Sequence, residues 1–259
     1  MAEVHLEWGP RAVEVFGDWA DVVVVVDVLS FSTAVDVAVS RGAAVVPCAV
    51  DQGAPERLGR KLGAQVAVPR SEVSTARPYS LSPASLASLP ANSTVVLASP
   101  NGATLTARLA STGQAVVAGC LRNAAAVGAY VASVGSRVGV LAAGERWPHD
   151  ESLRPAFEDF VGAGAVIASI ADARRSPEAA TAAAAFADAR DDLERHLSEC
   201  VSGRELTERG YGIDVTWAAA VDVSQAVPLL VDGAYAAAVS VGPISESDCG
   251  YEPGGADGA

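Results

Sequence analysis

Glu158 and Asp159 stand side by side in "LRPAFEDFVGAGAVI", and Asp27 ends a run of five valines in "DVVVVVDVLSFST". Paired carboxylates that meet a third at a strand end suit a hard divalent cation. Mg²⁺ typically takes one or two of them, with waters and substrate phosphate completing its shell. Acidic residues in a first helical turn also satisfy the helix dipole, so the pair has an ordinary electrostatic use as well. Asp27 is followed by three hydroxyls, Ser30, Ser32 and Thr33, where a helix cap needs one. Further polar groups occur as Ser99, Asn101 and Gly102 in "SPNG", as Arg122 and Asn123 in "CLRNA", and as Glu145 and Arg146 in "AAGERW". Each has a plain alternative: "SPNG" suits a turn, Asn123 a cap, and Arg122 a solvated surface.

The segments around these residues explain why they would meet. Residues 22–28 read as an apolar strand, followed by a helix capped by Ser32 or Thr33 and stopped at Gly42, and by a strand at "AAVVPC". A helix near 53–62 and a short strand "AQVAV" come next, and the Ser- and Pro-rich stretch 69–90 reads as an irregular crossing. Alternation resumes with strands in "STVVLASPNG", "QAVVAGC" and "SRVGVLAAGE", separated by helices in "ATLTARLAS" and "LRNAAAVGAYVASVG". Residues 154–202 are Ala-rich and helical, with Gly162 and Ala165 small enough for a helix to approach a sheet closely. The stretch 210–239 is ambiguous between strand and helix.

Continuous rather than alternating apolar strands, interleaved with helices, predict an α/β fold: a mainly parallel or mixed sheet with helices on both faces, three layers deep. In such a sheet ligands bind at the carboxyl ends of the strands, where loops and helix N-termini gather. Four strand ends then place their polar residues on one rim. Residues 1–241 are expected to form one domain, with two lobes near 1–150 and 151–241 as an option, and 242–259 a disordered tail.

Composition narrows the partners. The chain of 259 residues carries a net charge of −13, which opposes nucleic-acid and anionic-membrane partners. No apolar run reaches the roughly 18 residues of a membrane helix, and no leader pattern opens the chain, so a soluble cytoplasmic protein is expected. Cys48, Cys120, Cys200 and Cys249 are widely spaced, which suggests buried thiols rather than disulfides or a zinc site.

The blocks "DVLSFST", "SPNG", "CLRNA", "AAGERW…LRPAFEDFVGAGAVI" and "GYGIDVTWAAAVD…VP" occur in order over residues 20–232. Together they resemble the 2-phosphosulfolactate phosphatase (ComB) family. The resemblance implies a Mg²⁺-dependent phosphatase with a ComB-like α/β fold that releases phosphate from 2-phosphosulfolactate. It casts Asp27 as metal ligand or nucleophile and Ser30, Ser32 and Thr33 as the phosphate cradle. Glu158 and Asp159 would complete the metal site or activate a water, and Asn101, Gly102, Arg122, Asn123, Glu145 and Arg146 would line the substrate site. The family pattern usually reads like "DVLRAST", with arginine where this chain has Ser30; Arg122, Arg146, Arg154 or Arg204 could re-supply that cation. The expected partner is a small anionic phosphorylated substrate, with a homodimer possible in principle. The alternative is a non-catalytic domain of the same fold that binds an anionic metabolite.

Overall fold

A computed structural model describes residues 1–50 and 53–238, so the expected tail and Cys249 lie outside the described residues. The chain opens with β1 (Glu3–Trp8) and α1 (Gly9–Gly17), two elements to which the sequence reading assigned nothing. It continues with β2 (Val22–Val26), α2 (Phe31–Ser40), β3 (Ala44–Cys48), α3 (Ala54–Leu62) and β4 (Gln65–Val66). After an irregular crossing that contains the short α4 (Pro83–Leu86) come β5 (Thr94–Ala98), α5 (Gly102–Leu109), β6 (Ala115–Gly119), α6 (Ala124–Val134) and β7 (Arg137–Ala142). A small hairpin, β8 (Glu145–Arg146) and β9 (Leu153–Arg154), precedes α7 (Phe157–Ser169), β10 (Arg174–Arg175) and α8 (Pro177–Ala189). The last elements are α9 (Leu193–Glu199), α10 (Val201–Glu208), α11 (Gly212–Ala219), β11 (Pro228–Val231) and β12 (Ala234–Ala237).

Ten strands form one sheet in the order β10-β1-β7-β2-β6-β11-β12-β3-β5-β4. All neighbours are parallel except at β11 and β12, which form an antiparallel hairpin inserted between β6 and β3. The fold is therefore α/β, with a mostly parallel mixed sheet flanked by helices. Strands from both sides of residue 150 share this sheet. Residues 210–238 of the ambiguous stretch resolve into α11 followed by the hairpin. Its turn is Asp232-Gly233, both at positive φ (51° and 82°), which is the pairing that a two-residue hairpin loop favours.

The five valines of β2 are wholly buried because each face of the strand has its own core. Val22, Val24 and Val26 pack with residues of α6, α7 and α8, whereas Val23 and Val25 pack with residues of α1, α2 and α5. Helix α7 lies close on the sheet, as its small residues predict. A Cβ on Gly162 would collide with Val28 and come within 3.1 Å of Val26 Cγ1. On another side, Gly164 lies against the Ala182 carbonyl of α8. No helix among the described residues is long and apolar enough to cross a membrane.

Candidate active site

Asp27 leaves the end of β2 at the centre of the rim, and the turn after it is tied by its own side chains. The Ser32 hydroxyl donates to the Asp27 carbonyl (2.8 Å) and accepts from the Asp27 N–H (3.0 Å), while the Thr33 hydroxyl donates to the Val28 carbonyl (2.8 Å). Both hydroxyls are fully buried. Helix α2 starts at Phe31, ahead of the expected Ser32 or Thr33 cap, and Ser30 stands at the cap position without capping through its side chain. Of the three hydroxyls, Ser30 is the one turned to another element: it accepts a 2.8 Å hydrogen bond from Arg70 Nη2.

The Asp27 carboxylate is aimed by backbone donors. Oδ1 accepts from the Phe31 N–H (3.3 Å), and Oδ2 from the Gly102 N–H (2.8 Å) and the Ser99 hydroxyl (3.4 Å). Asn101, in the same turn, donates to Glu145 Oε2 (2.9 Å), so "SPNG" links two of the carboxylates. Asp159 clamps two strand ends from the first turn of α7: Oδ1 accepts from the Val28 N–H (2.7 Å) after β2, and Oδ2 from the Gly144 N–H (2.8 Å) after β7. Its neighbour Glu158, 2% exposed, accepts from the Cys200 thiol at 3.3 Å.

Burial and neighbouring charges raise the proton affinity of Asp27, Asp159 and Glu145. Burial pushes Asp27 above the usual carboxylate range, against the Gly102 and Phe31 hydrogen bonds, and the charge of Glu158 adds to it. Burial, then Asp27 and Glu158, push Asp159 well up. Burial and the charge of Asp27 push Glu145 up to about 7, partly offset by Asn101. Among the described residues, no three His, Cys, Asp or Glu side chains are grouped as a ready-made metal cage. The donors are nevertheless all oxygens, and a cation that takes one or two carboxylates with waters and phosphate needs no such cage.

Residues 11–233 match the sequence profile of the 2-phosphosulpholactate phosphatase family. The chain belongs to that family. It is also similar to a protein of Carboxydothermus hydrogenoformans named "Probable 2-phosphosulfolactate phosphatase", with 29% identity over 136 residues. That stretch is 52% of this chain and 54% of the relative, so the match spans about half the length of either protein.

Within this member of the 2-phosphosulpholactate phosphatase family, the other predicted residues have more varied settings. Arg122 is committed elsewhere: its Nε donates to the buried Asp36 (2.9 Å), Nη1 to the Trp217 carbonyl (3.1 Å), and its guanidinium lies over the Trp217 ring. Asn123 is fully buried, accepting from the Cys120 N–H and donating to the Ala118 and Ala226 carbonyls. Arg146 is exposed and 3.7 Å from Glu151. Arg154 lies over Trp147, and Arg204 donates to the Glu199 carbonyl. Sequence reasoning missed Arg70 and Asp214, which form a 2.9 Å ion pair beside Ser30. Asp214 sits in the quoted "GYGIDVTW" block, a usable signal; Arg70 lies in the irregular crossing, where nothing in the local pattern marks it.

Proposed function

We propose that this protein is a Mg²⁺-dependent phosphatase that hydrolyses 2-phosphosulfolactate, or a closely related small anionic phosphomonoester, to the hydroxy acid and inorganic phosphate. The observation that carries the reading is the linkage of Asp27, Glu145, Glu158 and Asp159 at the carboxyl ends of β2 and β7, with mutual repulsion that raises three of them. Such a cluster is costly without a counter-charge, and a divalent cation together with a phosphoryl group supplies one. Asp27 and Glu158 would hold the cation, which supplies charge neutralisation of the phosphoryl oxygens.

The chain's own residues divide the remaining work. Asp159 positions the two turns that present Asp27 and Glu145, and with its remaining lone pairs it would complete the metal site or activate a water. The Ser30 hydroxyl, which accepts from Arg70, can donate its proton to a phosphoryl oxygen. Glu145 changes protonation state near neutrality, so it can take a proton from the attacking water or return one to the leaving alkoxide as the P–O bond breaks. Water enters, and the hydroxy acid and phosphate leave. The test is phosphate release from a panel of phosphorylated small acids with and without Mg²⁺. Metal-dependent release from 2-phosphosulfolactate or a close analogue is expected. Calorimetric binding of the intact phospho-acid without turnover would instead favour a non-catalytic binder.

A further inference from the structure

Arg70 comes from the irregular crossing after β4, yet its guanidinium is held as firmly as a core group. Nε donates to Asp214 Oδ2 (2.9 Å), Nη2 donates to Ser30 Oγ (2.8 Å), and the Tyr211 ring lies 5.6 Å below the guanidinium carbon. Asp214 is fully buried in α11 and takes a second hydrogen bond, from the Ser82 hydroxyl. Two helices and a loop therefore fix the orientation of one cation. Its Nη1 makes no hydrogen bond among the described residues. The Arg70 side chain, 17% exposed, lines a cavity of about 610 Å³, a size suited to a small metabolite. Ala98 lines the same cavity and its neighbour Ser99 donates to Asp27, while Arg70 reaches from the cavity to Ser30, so Ala98 and Arg70 link the Asp27 turn to the cavity. Among the described residues its lining carries two guanidiniums, Arg70 and Arg209, against one carboxylate, Glu56, with Tyr211 and apolar groups such as Leu206 between them.

The geometry points to Arg70 as the specificity-determining residue that recognises the acid group of the substrate beyond its phosphoryl group, an inference that rests on the phosphatase reading above. Ser30 accepts from Arg70 and, in the reading above, donates to the phosphoryl group, so an acid group carried on a neighbouring carbon of the substrate would fall to the Nη1 of the same guanidinium. A guanidinium suits such a group because its remaining nitrogen, Nη1, donates a charge-assisted hydrogen bond to an anionic oxygen. Arg122 and Arg204 do not compete for this role, since neither lines this cavity: the one pairs with Asp36 and the other donates to the Glu199 carbonyl.

The test compares phenyl phosphate, 2-phospholactate and 2-phosphosulfolactate as substrates of wild type, Arg70→Gln, Arg70→Lys and the double variant Arg70→Gln/Asp214→Asn. The double variant removes both charges of the buried pair and guards against loss of fold. In Arg70→Gln and the double variant, kcat/KM for the two phospho-acids should fall about ten- to a hundredfold relative to phenyl phosphate, through KM, as expected for one charged hydrogen bond. Arg70→Lys should recover part of that ratio. A ratio unchanged within about twofold, or equal losses on all three substrates, would overturn the assignment. Should wild type hydrolyse none of them, the phosphatase reading fails, and calorimetry with malate and inorganic phosphate decides Arg70 separately. Malate binding that is lost in the double variant while phosphate binding persists supports the role; malate binding equal in both proteins, or absent from wild type, overturns it.

Discussion

Gly102 donates its backbone N–H to Asp27 Oδ2 at 2.8 Å, although β5, which precedes it, lies five places from β2 in the strand order. In a flat sheet those strands would be roughly 24 Å apart. The four Cα–Cα steps from Ala98 to Gly102 span at most about 14 Å. The step to Asp27, its side chain and the hydrogen bond itself supply most of the difference and strand twist the rest, so that α5 packs against β2 and closes the site around Asp27. A Cβ at residue 102 would fall 2.8 Å from Asp27 Oδ2 and collide with the Phe31 ring. Gly102→Ala should lower stability by about 1–3 kcal/mol, as overpacking does, and lower kcat/KM more than that loss of folded protein accounts for. Urea midpoints and kinetics on the same preparation separate the two effects.

Asp159 offers both oxygens to backbone donors, Val28 and Gly144. Asparagine keeps one acceptor and turns an amide N–H toward the other donor. Asp159→Asn should cost about 1–3 kcal/mol in chemical denaturation, the usual penalty for a buried unsatisfied group. An unchanged midpoint would mean that the two turns are held by other contacts.

Glu158→Gln keeps the shape of its side chain and an acceptor for the Cys200 thiol. The variant should fold with a melting temperature near that of wild type, and its Mg²⁺ affinity by calorimetry should fall at least about tenfold, as for lost metal-site groups. Equal Mg²⁺ binding in both proteins would leave Glu158 as a helix-terminus charge.

Glu145 has its pKa raised from 4.5 to about 7 in the folded protein, so the folded state binds more protons than the unfolded chain between those values. Its contribution to stability is fully present below pH 4.5 and is lost as pH rises to about 7, by on the order of 2–3 kcal/mol. Metal-free protein should therefore show a thermal midpoint that declines over this window, and Glu145→Gln should flatten the decline. Mg²⁺ should raise the midpoint more at pH 8 than at pH 5, because the carboxylates it neutralises are then ionised. An Mg²⁺ effect independent of pH would argue against a carboxylate site.

Arg122 neutralises Asp36, which is fully buried. Arg122→Ala should destabilise by about 3–5 kcal/mol, the cost of an uncompensated buried charge. The surviving folded fraction should keep a KM close to that of wild type. A selective rise in KM for the doubly anionic substrate would instead return Arg122 to the substrate site.

The layered α/β fold was legible in the sequence because a strand buried on both faces must be apolar at every position. The run Val22–Val26 states this directly, and so do the strands around residues 95 and 117. Asp27, Glu158 and Asp159 were legible for a related reason: carboxylates at the boundary of apolar elements stand out, and Gly162 announces a close helix by its lack of a side chain. Residues 3–17 were not, because β1 alternates polar and apolar near the sheet edge and α1 is short. The roles of the polar side chains were decided only by tertiary structure. A serine's sequence does not say which way its hydroxyl turns, and Ser32 and Thr33 turn back onto their own backbone while Ser30 meets Arg70, forty residues further along the chain. An arginine's charge likewise does not name its partner. Burial and the packing of the elements assign Arg122 to Asp36 and bring Arg70 from an irregular loop to Ser30 and to the cavity that Arg70 lines.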